Sequence, residues 1–138
     1  MLISDDLYSE RKGATDSEAI FLLALGLGMR EQPIAAMEQA IVQMQDLSQR
    51  YGQAPHIRLS AAYSDGERLF VVRYASDMRA PTLYYRYCNA LGGFMVVSEP
   101  LDPGQNDWTS VPQGTICCFS KSGVRQHDFL SNCRRVAC

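Results

Sequence analysis

The sequence predicts an α+β fold in which two helices pack on an antiparallel β-sheet. Between residues 15 and 50, apolar side chains recur every three to four positions, which is the period of an amphipathic helix. After His56 the period changes to two, as in a strand. The pair Asp65-Gly66 lies between two β-rich runs and is typical of a hairpin turn. Helices followed by antiparallel strands place the helices on one face of the sheet.

Two helices are predicted before His56. Thr15 and Glu18 have capping-box spacing, and the apolar face of the first helix runs over residues 20–27. Pro33 suits the first turn of a second helix, which should end near Gly52. The apolar stripe of the second helix comprises Ile34, Met37, Ala40, Ile41, Met44 and Leu47.

The strands are predicted as a five- or six-stranded meander. Residues 57–76 form two strands around Asp65-Gly66, residues 80–87 a third and residues 92–100 a fourth. The segment "PLDPGQNDW" is a loop by composition, and "GTICCFSKSGVRQHDF" is a hairpin that turns at "KSG".

Two of these strands, "LFVVRY" and "FMVV", are apolar on both sides of their alternation. A strand that is apolar on both faces needs cover on both. Two helices cover only one face. We therefore expect another chain, or sequence missing from this one, to pack on the second face.

Composition excludes several classes of protein. The formal net charge of -2 gives no electrostatic basis for binding nucleic acid or an anionic membrane. The N-terminal segment has no apolar signal region, and the longest apolar run is too short to span a bilayer. The five cysteines contain no C-x-x-C pair, which argues against a zinc site and a disulfide framework and favours a reducing cytoplasm. They are Cys88, Cys117, Cys118, Cys133 and Cys138.

Few residues could carry chemistry. Neither His56 nor His127 lies near a serine or cysteine in a catalytic context, so no catalytic residue is assigned. No ligand spacing predicts a metal, and no glycine-rich phosphate loop predicts a nucleotide, so no cofactor is expected. "YYRYC" reads as an ordinary strand with alternating faces. Ser98 and Glu99 end a strand, where binding sites often lie.

Asp16 is the one candidate site residue. As an acid in the first turn of a helix it stabilises the helix dipole, by about 0.3–1 kcal/mol. As a carboxylate at a strand-to-helix junction it could instead bind a substrate ammonium group. The residues alone leave both roles open.

Four segments together resemble the C-terminal half of class II glutamine amidotransferase-like proteins, bacterial hydrolases of γ-glutamyl amides. They are "GATDSEAIFLLAL", "PIAAMEQAI", "SDGERLFVVRYAS…APTLYY" and "VVSEPLD…WTSVP". The resemblance covers residues 1–125. It implies half of an αββα N-terminal-nucleophile hydrolase sandwich, and it implies that Asp16 binds the α-amino group of glutamine or a γ-glutamyl amide. An N-terminal cysteine, an Asn-Gly oxyanion hole and an arginine complete the family's site.

The chain departs from that family at its start. It begins Met1-Leu2, and no His-Asn-Gly segment is present. We therefore predict a C-terminal portion of the domain at residues 1–128, inactive alone, with an unassigned tail at residues 129–138. Whether the chain is an enzyme stays open. The alternative is a non-catalytic interaction module that pairs with a separately encoded N-terminal half or with itself. An independent cysteine nucleophile is a third hypothesis, disfavoured because no cysteine has a visible base. The reading frame upstream of Met1 would separate the first two.

Overall fold

A computed structural model describes residues 16–51, 56–102, 104 and 107–131. The chain divides into two compact units, Met1–His56 and Ile57–Cys138, and each is considered by itself. The first contains the helices and the second contains the strands.

The helical unit contains α1 (Asp16–Gly26) and α2 (Pro33–Arg50). Both lie where the sequence predicted them, although Thr15, half of the predicted capping box, is outside the described residues. The chain leaves α1 through Gly28, whose φ of +92° is readily adopted only by glycine. Its carbonyl accepts the backbone N–H of Gln32 at 2.9 Å, and α2 then starts at a proline that needs no amide partner.

The two helices contact each other. On α2 the buried residues lie on the predicted stripe or beside it, and on α1 they lie between residues 20 and 24. They are Ala36, Met37, Ala40 and Ile41 on α2 and Ile20, Leu22, Leu23 and Ala24 on α1. Burial rather than intrinsic propensity therefore stabilises both helices.

The structure describes seven strands in the strand unit. They are β1 (Arg58–Ser64), β2 (Leu69–Ala75), β3 (Tyr84–Cys88), β4 (Gly93–Val97), β5 (Thr109–Ser110), β6 (Thr115–Ser120) and β7 (Gly123–Asp128). They form two antiparallel sheets, a four-stranded sheet in the order β1-β2-β6-β7 and a three-stranded sheet in the order β4-β3-β5.

The predicted single meander is therefore wrong. β2 pairs with β6 rather than β3, in a register that sets Val71 opposite Cys117. The β3–β4 hairpin is paired instead with β5, a two-residue strand that follows the predicted loop and that sequence reasoning missed. The fold class of two helices with antiparallel β-sheet is confirmed, with the strands split between two sheets.

Both predicted hairpin turns are confirmed. In the first, Gly66 has a φ of +94°, and Asp65 Oδ1 accepts the backbone N–H groups of Glu67 at 3.0 Å and Arg68 at 2.7 Å. In the second, β6 and β7 join through Lys121 and Ser122, and the first residue of β7 is a glycine with a φ of +127°.

The Asp65 turn should be sensitive to acid. The two backbone N–H donors lower the pKa of this carboxyl to about 2. A group whose pKa is lower in the folded state stabilises the fold above its unfolded pKa and loses that effect as the pH falls towards the folded one. The stability difference between wild type and Asp65→Asn should therefore shrink between about pH 4 and pH 2. Urea unfolding of both proteins across that range measures it, and a constant difference would contradict the assignment.

The two sheets pack face to face. Val71, Cys117 and Phe119 of the four-stranded sheet form one buried cluster with Leu83 and Val111. Partly buried side chains of β3 and β4 pack against this cluster, among them Tyr85, Phe94 and Val96.

This packing corrects the expectation about what covers the second face of the sheet. On the opposite face of the four-stranded sheet, Phe70, Val72 and Ile116 are also fully buried. Both faces of "LFVVRY" are thus buried, as the sequence predicted. For the face towards Phe119, however, the expected cover from another chain or missing sequence is wrong, because a second sheet of the same chain supplies it.

The predicted limits of the domain, residues 1–128 with a tail at 129–138, stay a prediction. Two residues of that tail are buried: Phe129 and Leu130 are 0% and 2% exposed. Phe129 packs edge-on against Tyr74, and its N–H donates to the carbonyl of Gly114 at 2.8 Å. None of the helices in the described part of the chain has the length and apolarity needed to cross a membrane.

Candidate functional site

Asp16 is the first residue of α1, at the helix start that the motif predicted. The next two residues of the motif, Ser17 and Glu18, are exposed and half-buried. The side chain of Asp16 lies outside the described part of the chain. Its two predicted roles, in the cap and in binding an ammonium group, therefore both remain predictions.

Arg73 of β2 donates hydrogen bonds to three backbone carbonyls. The sequence did not predict these contacts. Its Nε donates to Pro81 O at 3.0 Å, Nη1 to Val111 O at 2.8 Å and Nη2 to Ala80 O at 3.2 Å. The fork of a guanidinium suits this arrangement because its donors are fixed in one plane. Arg73 therefore ties the β2–β3 connection to the segment after β5.

Gln113 and Thr82 extend this network. The Gln113 side chain accepts the N–H of Ala80 at 3.0 Å and donates to the carbonyl of Met78. Thr82 Oγ1 donates to Ser98 O at 2.9 Å, at the start of the "SEP" motif. The side chains of Ser98 and Glu99 are exposed. Two motifs that carry the resemblance, "APT" and "SEP", are thus connected through one hydrogen bond.

A second cluster of side chains surrounds Arg86, which lies on the face of β3 that points away from Tyr85. Arg86 Nη1 lies 3.2 Å from Asp102 and 3.3 Å from Asp107, and its guanidinium carbon is 4.3 Å from the ring centre of Trp108. Trp108 Nε1 donates to Asp102 at 2.8 Å, and this bond lowers the pKa of Asp102. The strand alternation correctly separates Arg86 from Tyr85. The cluster closes the loop after β4, which gives the "LD…W" part of the motif a structural role.

The described cysteines offer no activated nucleophile. Cys117 is fully buried between the sheets, and burial raises the pKa of its thiol, which opposes thiolate formation. Cys118 is half-buried and points to the opposite face, and Cys88 is half-buried at the end of β3. Cys133 and Cys138 lie outside the described residues.

Both histidines are exposed residues of the strand and helical units. His56 is exposed, and His127 is an exposed residue of β7 that lies opposite Ile116. Among the described residues, no group of three His, Cys, Asp or Glu side chains could hold a metal ion.

An open cleft of about 560 Å³ lies where the β1–β2, β3–β4 and β6–β7 turns meet. Its lining includes Arg68, Lys121 and Ser122 as well as the rings of Tyr87 and Phe94. The acidic side chain of Glu67 also lines it, so the cleft combines both signs of charge. No predicted site residue lies among its described lining residues.

Comparison with known proteins shows what the chain is similar to. No family model and no curated protein matches the chain. Among solved structures, a glutamine aminotransferase class-II domain protein from Silicibacter pomeroyi is 46% identical, with a TM-score of 0.88. The match covers 94% of this chain but only 58% of that one. The resemblance drawn from the motifs is thereby confirmed: in sequence and fold, nearly the whole chain is similar to part of a class-II glutamine aminotransferase domain protein.

Proposed function

We propose that this chain forms the substrate-binding and scaffolding portion of a class II glutamine amidotransferase-like domain of the N-terminal-nucleophile type. The domain would hydrolyse glutamine or a γ-glutamyl amide in the cytoplasm. One observation carries the proposal: identity of 46% together with a TM-score of 0.88 over 94% of the chain. That neighbour is a glutamine aminotransferase class-II domain protein, and the resemblance of the TDSE motif to that family implies that Asp16 would bind the substrate amino group.

The position of Asp16 supports this role. The start of α1 presents backbone N–H groups and the positive end of the helix dipole. A negative charge in the first turn of a helix interacts favourably with this dipole, and a substrate ammonium group likewise requires a negatively charged partner. The cap and the binding role are therefore compatible, because both need the same charge at the same place.

We further propose that the 138-residue polypeptide does not hydrolyse glutamine by itself. Amide hydrolysis through a thioester needs an activated thiolate and donors for the oxyanion. The three described cysteines are strand residues that are buried or half-buried, and Cys117 is disfavoured as a thiolate. The nucleophile would come from a polypeptide equivalent to the part of the neighbour that this chain does not span.

Asp16→Ala tests the substrate role. The chain is mixed with the unaligned part of the Silicibacter pomeroyi protein, and glutamine hydrolysis is measured as ammonia release. If Asp16 binds the substrate amino group, Asp16→Ala should raise KM at least about tenfold, which corresponds to about 1.4 kcal/mol, and change kcat less. The physical reason is that the substrate ammonium group would lose its oppositely charged partner.

Asp46→Ala is the matched control. Asp46 is an exposed carboxylate of α2 that lies 3.3 Å from Arg50, and such surface pairs contribute little. Its KM should equal that of wild type. An unchanged KM in Asp16→Ala would return Asp16 to the role of a helix cap alone.

A non-catalytic interaction module is the second proposal. The chain covers 58% of its neighbour, and a module of this kind would bind a polypeptide equivalent to the remaining part of that protein. Binding of the two polypeptides with no ammonia release at any glutamine concentration would favour the module over the enzyme.

A further inference from the structure

Two charged turns meet at the cleft where the β1–β2 and β6–β7 hairpins end. β2 and β6 pair with Leu69 opposite Phe119. Glu67 precedes Leu69 by two residues, and Lys121 follows Phe119 by two residues. The register therefore brings Glu67 and Lys121 to the same end of the sheet, and both line the cleft of about 560 Å³.

The cleft carries one unpaired charge of each sign. Arg68 also lines it, but its Nη2 lies 2.9 Å from Asp65, and its guanidinium carbon lies 5.1 Å from the ring centre of Phe70. Glu67 and Lys121 are both exposed, and within the described part of the chain neither of them forms an ion pair. A ligand here would meet a free carboxylate and a free ammonium group.

The cleft has a charged part and an aromatic part. A second cavity, also of about 560 Å³, is lined by residues 66–68 and 120–122, all of which also line the first. The first cavity extends further, to the rings of Tyr87 and Phe94. These rings pack edge-on with their centres 5.3 Å apart, and Tyr87 is 53% exposed. The aromatic part of the cleft therefore offers an apolar surface beside the two charges.

Hydrogen bonds hold both turns in place. Asp65 Oδ1 accepts the backbone N–H of Glu67 at 3.0 Å. On the other turn, the N–H of Ser122 donates to Ser120 Oγ at 3.3 Å, and the two serine hydroxyls lie 2.8 Å apart. The backbone that carries the two free charges is thus ordered before a ligand arrives, which lowers the entropic cost of binding.

The composition of the cleft suits a small polar ligand better than cover by another polypeptide. The cores of protein–protein interfaces are depleted in lysine, glutamate and serine. Glu67, Lys121 and Ser122 are exposed residues of exactly these types at the mouth of the cleft. Burying them under a protein chain would remove both unpaired charges from water, whereas a small ligand of matching charge would pair them.

We propose that this cleft binds a free α-amino acid with an aromatic side chain. The carboxylate of Glu67 pairs with the ligand's ammonium group, and the ammonium group of Lys121 pairs with its carboxylate. The ligand's ring packs against Tyr87 and Phe94. The site is independent of the proposed function, because it uses no residue of the proposed glutamine site.

Titration of the ¹⁵N-labelled chain with L-phenylalanine, followed by NMR, tests the site. The ligand should shift the amide resonances of residues 66–68 and 120–122 in a saturable way. Glu67→Gln and Lys121→Gln should each weaken binding about fivefold, because a charge pair that is open to water contributes modestly. Arg125→Gln is the matched control: it removes an exposed charge from β7 outside the cleft and should bind as wild type does.

Two analogues separate the roles of the charges. Phenylpropionate lacks the ammonium group, so it should bind Lys121→Gln more weakly than wild type and Glu67→Gln no more weakly. Phenethylamine lacks the carboxylate and should show the reverse. The dispersed spectrum of each variant shows that it folds.

Three results would overturn the proposal. They are the absence of saturable shifts with L-phenylalanine, Glu67→Gln and Lys121→Gln variants that bind it as wild type does, and L-glutamine binding with equal affinity, which would show that the rings select nothing. The titration requires no turnover, so its outcome is separate from that of the glutamine hydrolysis assay.

Discussion

Phe119→Ala is expected to lower the free energy of unfolding by about 3–5 kcal/mol. Phe119 is 4% exposed, and its ring lies 5.1 Å from the ring centres of both Tyr85 and Phe94. These contacts join the two sheets, so truncation leaves a cavity that both sheets must relax to fill. Urea unfolding followed by circular dichroism measures the change.

Tyr87→Ala is the matched control for Phe119→Ala. Tyr87 also packs edge-on against Phe94, at 5.3 Å, but it is 53% exposed. Its loss should cost no more than about 1.5 kcal/mol, the range of a single aromatic pair. If both variants lose equal stability, the packing of the two sheets does not contribute to the fold as described.

Arg73→Met is expected to destabilise the fold by more than about 2 kcal/mol. Methionine keeps much of the side-chain volume, but it cannot donate to the carbonyls of Ala80, Pro81 and Val111. Ala80 and Val111 are buried, so their unpaired carbonyls should each cost about 1–3 kcal/mol, whereas water can replace the bond to the exposed Pro81. Urea unfolding again gives the value.

Two further variants make the Arg73 test specific. Arg73→Lys keeps the charge but can satisfy fewer carbonyls, so it should fall between wild type and Arg73→Met. Arg125→Met removes an exposed arginine from β7 and should be nearly neutral. An Arg73→Met variant as stable as Arg125→Met would show that the three hydrogen bonds do not hold the connection.

The sequence predicted the elements that depend on neighbouring residues. The bounds of α1 and α2 follow from helical spacing, Pro33 and the glycines, and the two hairpins follow from Asp65-Gly66 and Gly123. Each of these signals lies within one element, which is why single-sequence reasoning finds it.

The division into two sheets could not be predicted in that way. It depends on residues 69–73 pairing with residues 115–119, far apart in sequence, while the strands between them form a separate sheet. Periodicity indicates that "LFVVRY" is covered on both faces, but it does not identify what covers it.

The candidate site, too, could be predicted only in part. Asp16 came from a motif whose helical context the structure reproduces. Arg73 and Gln113 were missed because they bind backbone carbonyls and amides, which every residue has and which leave no trace in sequence spacing. The only available signal was their position inside or beside the motifs that carry the resemblance.

Glutamine hydrolysis by a mixture of this chain and the unaligned part of the Silicibacter pomeroyi protein tests the central claim most directly. The 138-residue polypeptide and the unaligned part of the Silicibacter pomeroyi protein are assayed for ammonia release, separately and together. We predict no turnover from this chain alone and saturable turnover from the mixture, because in the proposed function the chain would supply the site for the substrate amino group and the added polypeptide would supply the thiol. Turnover by the purified chain alone, or a mixture that binds no glutamine, would contradict the account.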